Sequence, residues 1–321
     1  MLAALAAGGC SLPPVSPVLP TSRPSATPTT CGCQFETAAI SSPATATPSD
    51  SPTLSLSVSQ SPAVSVTQTP QPTTDELGIV ATQDDIPDQP LQGQVISGEV
   101  PTSLLKKPLS YLVYLPPGYD SQSAHRYPVL YLLHGQGSTN DQWVRLGITT
   151  AADRLIKAAS IAPMLIVMPY EVDAAMPEQT NFGEAVVSVL VPWIDAHYPT
   201  QADRVARAIG GLSRGAAWAV RLGLMDWQTF GAIGAHSFPE FYGDGTLIPE
   251  WLAAIPPASY PRFYLDIGRS DPGIQLVVDF EAYLTAQGIP HEFHMYTGYH
   301  EENYWQTHLE YYLRWYAAGW Q

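Results

Sequence analysis

The sequence predicts an α/β domain with a mainly parallel central sheet flanked by helices and preceded by a disordered stalk. Three observations predict it. From about residue 91, short apolar runs alternate with segments of helical period. The runs at 127–133 and 163–168 are apolar without alternation, as strands buried on both faces must be. The first quarter of the chain, in contrast, has a composition that cannot build a core.

Residues 1–10, Met-Leu-Ala-Ala-Leu-Ala-Ala-Gly-Gly-Cys, are small and apolar. They resemble the end of a bacterial lipoprotein signal peptide, with Cys10 as the point of lipid attachment. Residues 11–76 hold twelve of the 31 prolines and only five charged residues: Arg23, Glu36, Asp50, Asp75 and Glu76. So few large apolar side chains cannot offset the entropy of ordering the segment, which reads as a linker. Cys31 and Cys33 stand there as Cys-Gly-Cys, where a local disulfide or idle thiols outweigh a metal or redox site. Residues 77–321 suit one catalytic domain with a sizeable core. They contain no cysteine and tolerate an oxidising compartment. The expected location is extracytoplasmic, at a bacterial cell surface, with the membrane met only through the lipid.

The formal net charge is −15, and the 13 Lys+Arg and 25 Asp+Glu from residue 77 onward account for −12 of it. No basic stripe is present, which excludes nucleic acid as a partner. No metal site and no cofactor is expected, and no stretch is long enough to span a membrane.

Along the domain, strands are expected at 109–115, 127–133, 163–168, 205–209, near 230–235, at 262–267 and at 291–296. Helices are expected at 150–159, 182–197 with a bend at Pro192, 214–225, 275–287 and 304–316. The repeated strand-then-helix unit is what implies the parallel sheet.

Gly211-Leu212-Ser213-Arg214-Gly215 fits G-x-S-x-G, with a strand before it and a helix after it. Such a turn needs small flanking residues because the chain reverses sharply around a strained serine. Ser213 is therefore the candidate nucleophile, and the Arg214 amide at the helix start can meet an oxyanion. A serine hydroxyl needs a base and an orienting acid. His300, in a loop leaving the last strand, is better placed as the base than His236, His291, His294 or His308. Asp266 and Asp271 compete as the acid; Asp266 lies in a strand, and loop placement favours Asp271. His134-Gly135-Gln136-Gly137 follows the most apolar strand and offers a second oxyanion amide from Gln136, with His134 ordering the loop. Segment 170–181 and the connection 237–260, with Phe238, Phe241, Tyr242 and Trp251, are expected to shape the acyl pocket. Candidate substrate contacts are Trp143, His236, Trp251 and Trp305.

Taken together, the stretches 111–120, 127–135 with Trp143, 207–213, 266–271, and Gly298-Tyr299-His300 with Trp305 resemble the esterase D family of α/β-hydrolases. That family includes feruloyl and acetylxylan esterases, S-formylglutathione hydrolases, siderophore esterases and mycolyltransferases. The resemblance runs from about Gln92 to Trp315. It implies the α/β-hydrolase fold, a Ser213, Asp271 and His300 triad, and the Gln136 and Arg214 amides as oxyanion hole. Arg214 departs from the Met or Gln frequent there, Ala216 from a glycine, and Glu302 from an aromatic. The implied activity is serine esterase chemistry through an acyl-enzyme, on acylated polysaccharide or small phenolic or acetyl esters. An acyltransferase with a sugar or alcohol acceptor and a non-catalytic tethered binding module remain open at this point.

Overall fold

The computed structural model describes residues 93–122 and 124–320. Cys10, Cys31, Cys33 and the linker at 11–76 lie outside the described residues. The strands are β1 (Gln94–Val100), β2 (Leu109–Leu115), β3 (Val129–Leu133), β4 (Leu165–Pro169), β5 (Arg207–Leu212), β6 (Ala232–His236), β7 (Arg262–Gly268) and β8 (Glu292–Tyr296). They form one sheet in the order β1-β2-β4-β3-β5-β6-β7-β8. β2 runs antiparallel to both of its neighbours, and the pairings from β4 through β8 are all parallel.

Successive side chains of a strand point to opposite faces, so this sheet feeds two cores. Val113, Val129, Tyr131, Leu133, Val167 and Ile209 belong to one. It is closed by α3 (Phe182–Glu184), α4 (Val191–His197), α5 (Arg214–Met225), α6 (Asp244–Ala253) and α7 (Ile274–Ala286). Tyr114, Leu130, Leu132, Ile166, Met168 and Ala208 belong to the other, under α1 (Gln142–Leu146), α2 (Ile148–Lys157) and α8 (Glu302–Ala317). Each fully buried Leu or Ile contributes roughly 1.5–3 kcal/mol.

The expected strand at 205–209 starts late. Arg204–Ala206 form a 3₁₀ turn with Val205 in solvent, and the ladder then continues through the glycines to Leu212. Segment 182–197 is helical throughout, but between α3 and α4 it widens into a π-helical stretch, Ala185–Leu190. Pro192 sits in the first turn of α4. Proline lacks an N–H and its ring crowds the preceding turn, and the wider turns absorb that mismatch. Three elements carried no usable sequence signal: β1, the five-residue α1, and α6 with Pro249 inside it.

Candidate active site

β5 is buried along its length and is followed by Ser213, where the backbone adopts φ 51°, ψ −127° before α5 begins. A non-glycine residue pays for that conformation, so the surroundings must hold it. The Ser213 N–H donates to the His236 carbonyl at 2.9 Å, and the Ser213 carbonyl accepts from Ala216 and Ala217. Both flanking glycines are required by close approach. A Cβ on Gly211 would lie 2.3 Å from the Gly215 carbonyl, and one on Gly215 would lie 2.2 Å from the Leu133 oxygen. Five residues therefore pack as β5 turns into α5, and the serine is left at the tip.

The loops after β7 and β8 meet that tip. His300 Nε2 lies 2.8 Å from Ser213 Oγ, and His300 Nδ1 lies 2.7 Å from Asp271 Oδ2. An ionised carboxylate only accepts, so Nδ1–H donates to Asp271 and Nε2 is left to accept from the serine hydroxyl. Asp271 Oδ1 also accepts the Gly273 amide at 2.8 Å. Burial pushes the Asp271 carboxyl upward, but the bonds from His300, Gly273 and the Ser237 hydroxyl outweigh it and leave it below the usual aspartate range. The two loops brace one another through Ser270 N–H to the Gly298 carbonyl, 2.9 Å.

Asp266 does other work. It is fully buried and takes hydrogen bonds from His236 Nδ1 and from the hydroxyls of Tyr304 and Tyr312, at 2.7, 2.7 and 2.8 Å. Burial and the charge of Asp266 push both tyrosines well up, so they stay protonated donors. Of the two aspartates, Asp271 is the one in contact with His300.

Of the expected substrate contacts, three are enclosed. Trp143 is 1% exposed, with its indole N–H on the Leu133 carbonyl at 3.0 Å. His236 is 0% exposed, stacked on Tyr312 and bonded to Asp266 and Tyr316. Trp305 is buried, donating to Ser237 Oγ at 3.1 Å and standing edge-on to the His300 ring at 5.2 Å. These aromatics bury large surfaces and spend their polar atoms inside the protein, so they support the site from behind. Trp251 is half-buried on α6, under the Arg221 guanidinium.

The loop after β3 is held from two sides. The Gly135 N–H donates to Gln142 Oε1 at 2.8 Å, and Gln142 Nε2 donates in turn to Glu302 at 2.9 Å. Bonds from Arg145 and Gln142 hold the Glu302 carboxyl below its ordinary range. On the other side, the His134 ring lies 2.8 Å from the Gly135 carbonyl and accepts the Glu171 N–H at 3.0 Å. Gln136 follows at the exposed tip of that loop. The Arg214 amide, at the first helical position, has no carbonyl one turn earlier to bond.

Sequence reasoning missed Glu171, Gln142 and Ser237. Glu171 and Arg214 are both buried and paired through two hydrogen bonds, at 2.8 and 2.6 Å. Segment 170–181 holds three acids, Glu171, Asp173 and Glu178, and nothing local marks Glu171 as the partner of Arg214. Gln142 and Ser237 carry no mark either.

A family model described as "Putative esterase" matches residues 102–316. The endo-1,4-beta-xylanase/feruloyl esterase of Xylanibacter ruminicola is 34% identical over 149 residues, 43% of this chain and 20% of that protein. An esterase of Mycobacterium tuberculosis is 30% identical over 167 residues, 49% of this chain and 34% of its own. The alignments thus cover a fifth and about a third of these relatives' lengths. Among solved structures, a ferulic acid esterase is similar with a TM-score of 0.64 at 24% identity, covering 72% of this chain and 100% of that one. An S-formylglutathione hydrolase from Staphylococcus aureus gives 0.56 at 17%, covering 70% and 99%. At such identities these likenesses speak for the fold alone, that of the α/β-hydrolases.

Proposed function

The chain belongs to the esterase family matched at 102–316, and on that premise we propose that it is a serine carboxylic-ester hydrolase with Ser213, His300 and Asp271 as its triad. One observation carries the reading: the unbroken line from Asp271 through His300 to Ser213, 2.7 and 2.8 Å long, ends on a serine held at positive φ. Ser213 Oγ attacks the ester carbonyl while His300 Nε2 takes its proton, and Asp271 stabilises the imidazolium. The amides of Gln136 and Arg214 receive the oxyanion. His300 then protonates the departing alcohol, and the acyl group remains on Ser213. Water repeats the sequence through His300 and releases the acid.

The substrates proposed are acylated polysaccharide or small phenolic or acetyl esters, in keeping with the feruloyl esterase activity named for a curated relative. The exposed Tyr299 beside His300 and the half-buried Trp251 are the aromatics offered to such a group. We place the enzyme outside the cytoplasm, tethered through Cys10; mass spectrometry of the mature amino terminus tests the tether. Rates on acetyl, butyryl and feruloyl p-nitrophenyl esters, with Ser213→Ala as control, test the activity and rank the acyl groups. A feruloyl ester turned over no faster than an acetyl ester removes the phenolic preference. Turnover that survives Ser213→Ala overturns the triad.

A further inference from the structure

Resting on the oxyanion reading above, we propose that Glu171 is a positioning residue that ties the two oxyanion amides together, its main chain to the Gln136 side and its side chain to the Arg214 side. A peptide unit is planar, so the Gly135 carbonyl and the Gln136 N–H turn as one. Whatever holds that carbonyl aims that N–H. The holder is His134, 2.8 Å away through Nδ1, with the Ser138 amide adding a bond at 3.2 Å. Because His134 Nε2 accepts the Glu171 N–H at 3.0 Å it carries no proton, so in the neutral ring Nδ1 holds the proton and donates to the Gly135 carbonyl. Burial lowers the His134 pKa and keeps the ring neutral.

The Glu171 carboxylate reaches the other half. Its two oxygens take Arg214 Nε at 2.8 Å and Nη2 at 2.6 Å, a bidentate grip with both side chains less than a tenth exposed. The same guanidinium donates to the Ala175 carbonyl and lies 4.9 Å over the Phe241 ring. The side chain of Arg214 is thereby fixed to segment 170–181 and to Phe241, and its amide is the second donor. One residue just past β4 thus reaches both the loop after β3 and the start of α5. A buried ion pair is a poor net stabiliser compared with an apolar pair of similar volume. Its use here is to fix geometry.

That difference supplies the test. The double variant Glu171→Met with Arg214→Met keeps the volume and every backbone amide, and removes the grip. The expected result is an unfolding temperature close to or above that of the wild type, kcat on p-nitrophenyl acetate lower by roughly 10- to 100-fold, and KM within about twofold. Affinity for a phenylboronic acid, whose tetrahedral adduct uses the oxyanion amides, falls by a similar factor. Glu171→Gln, which keeps shape and amide but loses the charge, lowers kcat and boronate affinity by a smaller factor. Its unfolding temperature is lower, because Arg214 is left buried without its counter-charge. It stands in should the double variant not fold. Wild-type kcat and boronate affinity in either folded variant would overturn the proposal and leave the pair a clamp on segment 170–181. Turnover that survives Ser213→Ala would overturn the underlying reading and the brace with it, and that failure shows before any change at position 171.

Discussion

Ser213 holds φ 51°, at a cost of about 1–3 kcal/mol, because Gly211 and Gly215 let the chain close around it. Gly215→Ala drives a methyl into the Leu133 carbonyl; the expected loss, read by urea unfolding, is at least about 2 kcal/mol, with activity falling alongside. Asp271 can be probed by pH as well as by rate. Its folded pKa is depressed, so its charge stabilises the fold above the ordinary aspartate value of about 3.9 and that support is lost as pH falls through the folded value. Asp271→Asn is expected to cost on the order of 10⁴-fold in kcat. Its stability deficit at neutral pH should shrink below about pH 4. A deficit that stays constant with pH would mean the charge contributes nothing to the fold. Ser213 and His300 were legible in the sequence because a short motif and a loop position mark them. Loop placement favours Asp271 over Asp266 although both lie near one strand end, and the structure puts Asp271 against His300. Glu171 was illegible because it meets Arg214 across 43 residues of chain.

At the scale of elements, the elbow from β5 to α5 was readable because it is local: a strand, a Gly-rich turn and a helix in succession. α6 was not, because Pro249 and the glycines before it look like loop. α8 contributes more than packing. Tyr304 and Tyr312 bond Asp266, and Tyr316 reaches His236, so the helix that follows the His300 loop is pinned to β6 and β7. Tyr312→Phe leaves one acceptor of Asp266 short and is expected to cost about 1–3 kcal/mol in thermal unfolding. An unchanged melting temperature would remove the pinning role. α6 carries a pH signature of the opposite sign to Asp271. Burial pushes the Asp244 carboxyl up to about 6 against the pull of Arg221. The folded state therefore binds that proton more tightly than the unfolded chain, and stability falls as pH rises from about 4 to about 6. Asp244→Asn should flatten the melting-temperature profile across that window, and an unchanged slope would assign it to other groups.

Across the whole molecule, the two cores and the parallel sheet bring the carboxyl ends of β5, β7 and β8 to one edge, which is where Ser213, Asp271 and His300 meet. The succession of apolar runs and helical segments made the sheet legible, but the crossing of β3 and β4 in its order depends on pairings that no local pattern encodes. A net charge of −15 predicts that the chain repels anionic substrates. An ester bearing a carboxylate should gain several-fold in kcat/KM when salt is raised from 0.01 to 0.1 M, whereas p-nitrophenyl acetate should not respond. Equal salt responses would argue that the field does not reach the site. A fluorophosphonate probe, which forms a covalent adduct with an activated serine, reads whether Ser213 is the nucleophile. Peptide mass spectrometry after labelling of the folded protein is expected to find a single adduct on Ser213, absent from the His300→Ala protein on the same time scale. An unlabelled Ser213, or an adduct on another serine, would contradict that role.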